Sequence, residues 1–462
     1  MGQGLSVVVL AAGEGKRFRS ALPKPLHPVA GRPLLWHVLA AAAPLKADRT
    51  VVVVGNGGNQ VAGAVEGFDL GPVGLAVQAD QRGTGDALAA ALPLLGDDED
   101  VMVLSGDTPL ISAGLLEGLL DAHRSARADA TLATTTLEDP TGLGRILRDQ
   151  DGAVTGVVEE RDAGPAQRAL REVSVGMYVF RRPALDHLAE LRPDNHQGEY
   201  YLPDLVPRIL AAGGRVVTAE GPEDETRGVN DRVELATAAA VLRRRLLERL
   251  MLAGVTVTDP ATTYVDADVE VGQDTVLAPM TFLEAGTRVG ARCRIGPNVR
   301  LVGCTVGDDA TVSQAVAAQS VIGDRASVGP FASLRPGSDL GEHSKAGTFV
   351  EVKNSTVGPG SKVPHLSYVG DADIGAGANV GAGTVFVNYD GVSKHRTVVG
   401  DGAFIGSDTM LVAPVTVGSG AQTAAGSTIT KDVPPDALAI ERSDQRTIEG
   451  WAARRRRRKH KA

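Results

Sequence analysis

Aromatic side chains are scarce in this 462-residue chain, at 3% of residues, and cysteine is reduced to Cys293 and Cys304. Two thiols exclude a disulfide-built secreted scaffold and suit a reducing compartment. No stretch approaches the roughly 20 uncharged apolar residues that span a bilayer. The opening residues lack the charged segment and apolar run of a secretory leader. The expectation is a soluble, cytoplasmic protein without a membrane span. A net charge of −9 argues against a specific nucleic-acid binder. The exception is the basic run at 454–461, which reads as a solvated, disordered tail; contact with RNA, membrane or a partner is the alternative. Length favours about three domains, and 43% apolar residues suffice for ordinary cores.

Glycine is what the chain has in excess, at 56 residues, and much of it falls in a rhythm. Aliphatic residues recur every sixth position at Val265, Val271, Leu277, Leu283, Val289, Ile295 and Leu301. The rhythm resets and resumes at Ile322, Val328, Leu334 and Leu340, and again at Val399, Ile405, Leu411 and Val417. Glycine often follows, as at Gly272, Gly290, Gly296, Gly323, Gly329, Gly400, Gly406 and Gly418. A small or β-branched residue stands four places after the aliphatic, as at Thr275, Thr287, Ala326, Ser338, Ala403 and Thr409. This hexapeptide repeat predicts a parallel β-helix. The aliphatic points inward, glycine is expected to accept the corner's backbone angles, and stacked coils bury one continuous column. A solenoid alone names no function.

Before Gly254 the pattern differs. Apolar runs at 6–10, 50–54 and 101–104 alternate with helical patterns at 87–95 and 114–123, which predicts an α/β domain around a mainly parallel sheet. Leu235, Leu242, Leu246 and Leu250 then recur at helical spacing, with Gly254 as a stop, so a connecting helix is expected. The first strand runs into a glycine-rich turn from Leu10 to Phe18, where backbone N–H groups can meet a phosphate or a base edge. Phe18 stands where a dinucleotide fingerprint wants its third glycine, and the chain has no GxxxxGK[ST] loop. Lys24 follows, held between Pro23 and Pro25.

The turn and the Pro-Lys-Pro-Leu segment resemble the sugar-nucleotide pyrophosphorylases. The likeness continues through Gln78, the run Gln81-Arg82-Gly83-Thr84, Ser105-Gly106-Asp107, Gly142 to Arg145, Val158-Glu159 and Gly228-Val229-Asn230. It implies that Leu10, Ala12, Gly13, Gln78, Gly83 and Thr84 hold the uridine of UTP. Arg17 and Lys24 would neutralise the triphosphate as catalytic cations, and Asp107 and Asn230 would ligate Mg²⁺. Gly144, Glu159, Ser174 and Asn230 would bind the sugar. A sugar-phosphate oxygen attacks the α-phosphorus in line and pyrophosphate leaves, so positioning and charge stabilisation do most of the catalysis. One carboxylate and one amide oxygen suffice for Mg²⁺ when phosphates and water complete the shell. Two positions depart from the family: Ser105 replaces a common aromatic, and Ser174 replaces a common asparagine. The shorter hydroxyl of Ser174 predicts a lost or water-bridged sugar contact.

In the repeats, charge interrupts the pattern at Leu334-Arg335-Pro336, Val352-Lys353, His365 to Tyr368, Asn379, and an insertion from Asn388 to Lys394. The insertion separates Val380 from Val399 and must loop out of the coil, and loops on rigid scaffolds commonly carry function. This half resembles the acetyltransferase of the bifunctional N-acetylglucosamine-1-phosphate uridyltransferase family, and the likeness covers about 95% of the chain. The resemblance implies a left-handed coil, a homotrimer with acetyl sites where coils meet, and a cell-wall precursor, UDP-N-acetylglucosamine, as product. His365 would be the general base, an imidazole exchanging protons near neutral pH. Arg335, Lys353, Tyr368, Asn379 and Lys394 would bind glucosamine-1-phosphate. Ala382, Asn388, Tyr389, Ser407, Ala425 and Arg442 would line acetyl-CoA, without a metal.

The fold class expected is α/β plus β-helix. A Rossmann-like nucleotidyltransferase domain occupies 1–230, a linker helix 231–254, a left-handed β-helix 255–440, and a terminal segment with the basic tail 441–462. Two rivals remain: a nucleotidyltransferase whose β-helix is only regulatory or structural, and a non-catalytic trimeric scaffold. His365 with Tyr368 and the 388–394 loop argue against the first, and Arg17, Lys24, Asp107 and Asn230 against the second.

Overall fold

A computed structural model describes residues 4–13, 15–55, 58–97 and 99–459. They fall into two units, Met1–Arg245 and Leu246–Ala462.

The first unit is built on one sheet. Its strand order is Val216–Glu220, Ala130–Thr136, Glu172–Arg181, Glu99–Ser105, Gly4–Leu10, Arg49–Gly55, Gly74–Gln78. Gly4–Leu10 pairs in parallel with both Arg49–Gly55 and Glu99–Ser105. Glu172–Arg181 runs antiparallel to its neighbours, so the sheet is mixed. Side chains alternate across it: Val7 and Val9 pack with Leu35, Val38 and Leu116 on one face, and Val8 packs with Val53 and Leu88 on the other. Burial of both faces explains why these strands read as unbroken apolar runs. The chain leaves Gly4–Leu10 towards one neighbour and Glu99–Ser105 towards the other. The crevice at such a switch point, at the carboxyl ends of the strands, is where open α/β sheets bind ligands.

A helix spans Arg232–Leu252. Leu235, Ala238 and Leu242 pack on Phe18, Val29, Leu34 and Leu110 of the first unit, while Leu247 and Leu250 join the core of the second. The helix stops where Gly254 takes φ +95° and the Val255 N–H caps the Leu250 carbonyl at 3.0 Å, a glycine-terminated C-cap.

The second unit is a coil of short strands in three all-parallel stacks. Leu283 lies over Val265, and Leu301 over Leu283. The first reset in the rhythm is a shortened coil, with Leu301 paired to Ala317 and Val306 to Ile322, each sixteen residues on rather than eighteen; the second contains the insertion, with Ile374 paired to Val399. The repeat aliphatics are buried, Val271 only in part. Most buried threonines and serines of the small positions turn their hydroxyls to carbonyls, as Thr275 does to Gly290 at 2.8 Å and Ser338 to Val352 at 3.0 Å, while the Ser344 hydroxyl finds no partner among the described residues.

The role expected of the repeat glycines needs correction. Of those named above, only Gly296 and Gly329 have positive φ; the left-handed corners are held mostly by other residues, such as Asp274, Arg292, Asp309, Arg325 and His343. Gly272, Gly290 and Gly323 are required by proximity instead. A Cβ at Gly272 would lie 2.6 Å from the Ala291 nitrogen, and at Gly323 2.8 Å from the Glu342 nitrogen, both in the next coil. The basic tail also differs from expectation. Trp451–Lys459 is helical, its residues 451–457 are exposed, and the Arg455 guanidinium sits 5.2 Å from the Trp451 ring centre.

Leu301 is fully buried in the coil, whereas Leu252 is 90% exposed. Leu301→Ala should therefore cost about 2–5 kcal/mol of stability, and Leu252→Ala less than about 0.5 kcal/mol, as read by chemical denaturation.

Candidate functional sites

Two sites take shape, one in each unit. In the first, strand Gly4–Leu10 ends in the turn bearing Ala12 and Gly13. The Ala11 N–H bonds the Val53 carbonyl at 2.9 Å, and the Gln81 side-chain amide donates to the Ala12 carbonyl. Gly15 takes φ +62° and lies against the Lys24 side chain, where a Cβ would come within 2.5 Å. Glu14 lies outside the described residues. Gly13, Gly15, Lys16, Arg17, Lys24 and Asn230 line a cleft of about 240 Å³.

Charge organises this cleft. The Lys24 ammonium pairs with the Asp107 carboxylate and donates to the Asn230 side-chain oxygen at 2.9 Å. Asp107 follows strand Glu99–Ser105, and its carbonyl accepts from the Val229 N–H at 2.8 Å, which brings Asn230 alongside. Ser105 donates to the other Asp107 oxygen at 2.7 Å. Two oxygen donors thus converge on one cation. That donor chemistry fits Mg²⁺, which takes carboxylate and amide oxygens and draws the rest of its shell from phosphates and water. No group of three or more acidic, histidine or cysteine ligands occurs among the described residues.

Gln78 is buried and donates to the Gly83 carbonyl at 3.0 Å and to Asp86 at 2.9 Å. Gly83, at φ +115°, has no room for a Cβ against Tyr200, and the Thr84 hydroxyl accepts from the Leu202 N–H at 2.9 Å. Gly144, Glu159 and Ser174 also come together. Ser174 pairs with Gly144 across the sheet, and a Cβ on Gly144 would lie 3.1 Å from the Glu159 carboxylate. Burial pushes the Glu159 carboxyl above its ordinary range, and the nearby Asp204 and Asp162 push the same way. Ser174 is itself buried, with its hydroxyl 3.2 Å from that of Tyr178.

In the second unit, Arg335 and Lys353 occupy equivalent places on successive coils. Lys394, from the insertion, faces Lys353; that neighbouring ammonium pushes the Lys394 pKa below its usual range. Arg335 is paired with Glu351 at 3.1 Å, so three cations against two carboxylates leave a net positive cradle for an anion such as a phosphate. Asp371 sits at its edge, 3.7 Å from the Lys353 ammonium. His365 ends strand Lys362–His365 and is exposed, one corner from Tyr368. The Tyr368 hydroxyl accepts from the Asn388 amide at 3.4 Å. The insertion loops out as expected, closed by a Tyr389–Lys394 bridge and by Asp390, which accepts from the Val392 and Ser393 N–H groups at 2.8 and 2.7 Å.

Beyond His365, one corner line continues up the coil. The Gly383 N–H bonds the His365 carbonyl, the Asp408 N–H that of Ala382, and the Gly426 N–H that of Ser407. Arg442 closes the line with a 2.8 Å bond to the Ala425 carbonyl. Asn379 lies on the neighbouring strand Asn379–Val380, paired with Lys362. Among the described residues, no hydrogen bond ties its side chain to the cation cluster.

Residues 7–205 match the family model of the MobA-like NTP transferase domain. Residues 396–431 match the bacterial transferase hexapeptide (six repeats), and 286–314 the hexapeptide repeat of succinyl-transferase. The chain is 52% identical to the bifunctional protein GlmU of Mycolicibacterium vanbaalenii over 98% of its length and 93% of the relative's. It is 51% identical to that of Streptomyces avermitilis, over 98% of this chain and 94% of the relative, and 50% identical to that of Mycobacterium bovis, over 98% and 92%. The chain belongs to the GlmU family.

Within this GlmU chain, several residues that shape the two sites were given no role by sequence reasoning. Arg145 is fully buried; it pairs with Glu160 at 2.6 Å and with the Leu170 carbonyl at 3.1 Å, beside Glu159. A signal existed, since an arginine inside an apolar strand is rarely left unpaired. Gly370 and Gly347 gave none. A Cβ on Gly370 would lie 2.4 Å from the Tyr368 hydroxyl oxygen, and one on Gly347 2.0 Å from the Pro364 carbonyl oxygen. Gly347 therefore sets how closely the Pro364–His365 segment lies on the coil before it, and Pro364 is accommodated there.

Gly347→Ala should displace His365. Acetyl transfer should fall at least tenfold while uridylyl transfer by the same preparation stays within about twofold. Equal loss of both, or of neither, would contradict the placement.

Proposed function

We infer that this chain makes UDP-N-acetylglucosamine in two steps on two separate sites, with N-acetylglucosamine-1-phosphate passing between them. The observation that carries the reading is the pairing, in one chain, of two unlike charge clusters. One is the Lys24–Asp107–Asn230 cluster at a strand-end cleft, and the other is the Arg335–Lys353–Lys394 cradle beside His365.

In the acetyl step, the cradle binds the phosphate of glucosamine-1-phosphate and Tyr368 flanks the sugar. The amine nitrogen attacks the thioester carbonyl of acetyl-CoA, His365 takes the proton the nitrogen gives up, and coenzyme A leaves as the thiol. Acetyl-CoA lies along the corner line Ala382, Ser407 and Ala425, which ends at Arg442, with Asn388 and Tyr389 at its reactive end. Asn379 belongs to the sugar side of the same site.

In the uridylyl step, the phosphate oxygen of N-acetylglucosamine-1-phosphate attacks the α-phosphorus of UTP, and the bond to the β-phosphate oxygen breaks to release pyrophosphate. Leu10, Ala12, Gly13, Gln78, Gly83 and Thr84 hold the uridine, while Arg17 and Lys24 oppose the charge of the triphosphate. Gly144, Glu159 and Ser174 hold the sugar, Ser174 with a hydroxyl already shared with Tyr178. Asp107 and Asn230 hold Mg²⁺, which supplies positive charge to the phosphates. Lys24 then exchanges its carboxylate partner for phosphate oxygens.

The working form is a homotrimer in the cytoplasm. An exposed apolar ridge supports a second copy as its partner. Phe331 and Phe349 stack at 5.2 Å with 54% and 58% of their surface exposed, and Leu366 beside His365 is 64% exposed. Monomers rarely leave such ridges uncovered. No helix among the described residues is long and apolar enough to cross a membrane.

His365→Ala should abolish acetyl transfer and leave uridylyl transfer within a few-fold of wild type. Asp107→Ala should do the reverse, and EDTA should stop only the uridylyl step. Joint collapse of both rates in a folded variant would end the two-site reading. Light scattering tests the assembly: Phe331→Asp should shift trimer to monomer, and an unchanged mass would remove the ridge from the interface.

A further inference from the structure

Asp371 belongs to none of the ligand sets above, yet the side chains of Asn354, Asn388 and Lys353 converge on it. It is buried at 7% exposure, in the left-handed conformation at φ 51°, between strands Tyr368–Gly370 and Ala372–Ile374. One carboxylate oxygen accepts from the Asn354 side-chain amide at 2.6 Å. The other accepts from the Asn388 amide and lies 3.7 Å from the Lys353 ammonium. Backbone bonds fix the carboxylate's own position: the Asp371 N–H donates to the Lys353 carbonyl at 3.0 Å, and the Thr397 N–H to the Asp371 carbonyl at 3.1 Å. Burial works against the charge, but the two amides and the Lys353 and Lys394 ammoniums outweigh it and hold the carboxyl below its usual range.

We propose that Asp371 is a positioning residue for acetyl transfer, fixing the orientation of the Asn388 amide and the place of the Lys353 ammonium. The argument rests on donor and acceptor inventory. A carboxylate only accepts hydrogen bonds, so the Asn388 amide must turn its NH₂ towards Asp371. The same NH₂ lies 3.4 Å from the Tyr368 hydroxyl. The Asn388 carbonyl oxygen is thereby directed away from Asp371, as an acceptor of fixed direction. Asn388 opens the looped-out insertion that carries Lys394, so the carboxylate anchors the root of that loop to the coil. Without it the amide is free to flip, and Lys353 loses the anion that holds it opposite Lys394. Gly370 is part of the arrangement, since a Cβ there would come 2.7 Å from the Asn388 amide nitrogen.

The proposal rests on the reading of this cluster as the acetyl site, and the test separates the two. Asp371→Asn keeps the volume and suits a left-handed backbone, but offers one acceptor where two are used. Asn388→Asp alone sets two carboxylates against each other. The double variant D371N/N388D restores a donor facing an acceptor and preserves the net charge of the cluster. Each single variant should lower kcat/KM for glucosamine-1-phosphate at least tenfold, and the double variant should return to within about threefold of wild type. Uridylyl transfer should be unchanged in all three, which reports folding. A folded D371N within twofold of wild type, or a double variant no better than N388D, would overturn the positioning role. If D371N does not fold, comparison of the double variant with N388D still decides. Full acetyl transfer by His365→Ala would instead overturn the site assignment itself.

Discussion

The closeness with which one coil of the β-helix rests on the next constrains everything the second unit does. Successive backbones approach until a Cβ at Gly272, Gly290 or Gly323 would overlap main-chain or side-chain atoms of the following coil. At that spacing the aliphatic column is buried, and hydroxyls such as those of Thr275 and Ser338 reach carbonyls of the neighbouring coil. A residue on one coil also comes to lie over its counterpart on the next. That is why Arg335 stacks on Lys353, and why Ala382, Ser407 and Ala425 form a line although they are far apart in sequence. The site is a by-product of stacking: rigid coils hold like charges close together without letting them relax apart.

Both clusters share an electrostatic logic with opposite signs of readiness. In the first unit, Lys24 already has Asp107 and Asn230 as partners, so an arriving anion would have to displace them. In the second, Lys353 and Lys394 face each other, with Asp371 as the buried counter-charge. That cradle gains most when an anion arrives. Arg335 and Lys394 are exposed, so water screens their repulsion in part, and an arriving anion relieves what remains.

Much of this was legible in the sequence. The hexapeptide rhythm gave the β-helix, and the alternation of apolar runs with helical patterns gave the α/β unit, because both periodicities record burial. The motifs around Lys24, Asp107 and Glu159 pointed to one chemistry because phosphoryl transfer needs cations and oxygen ligands at strand ends. The role of the repeat glycines was misread. Sequence records that glycine is present, while the choice between a positive φ and a close approach depends on the coil above it.

Asp371 shows the same limit more sharply. It stands at a corner in the left-handed conformation, as Asp274, Asp309 and Asp408 do, and nothing in its own segment separates it from them. Only the coil places it against Lys353, Asn354 and Asn388, two of which come from the preceding coil and one from the insertion. The sequence by itself determined the two architectures, because periodicity and motif are local properties of the chain. The tertiary structure decided which cations lie together, which glycines have a coil pressed against them and which carboxylate meets the Asn388 amide. Those outcomes depend on distances across coils, and a linear spacing that shifts between sixteen, seventeen and eighteen residues does not specify them.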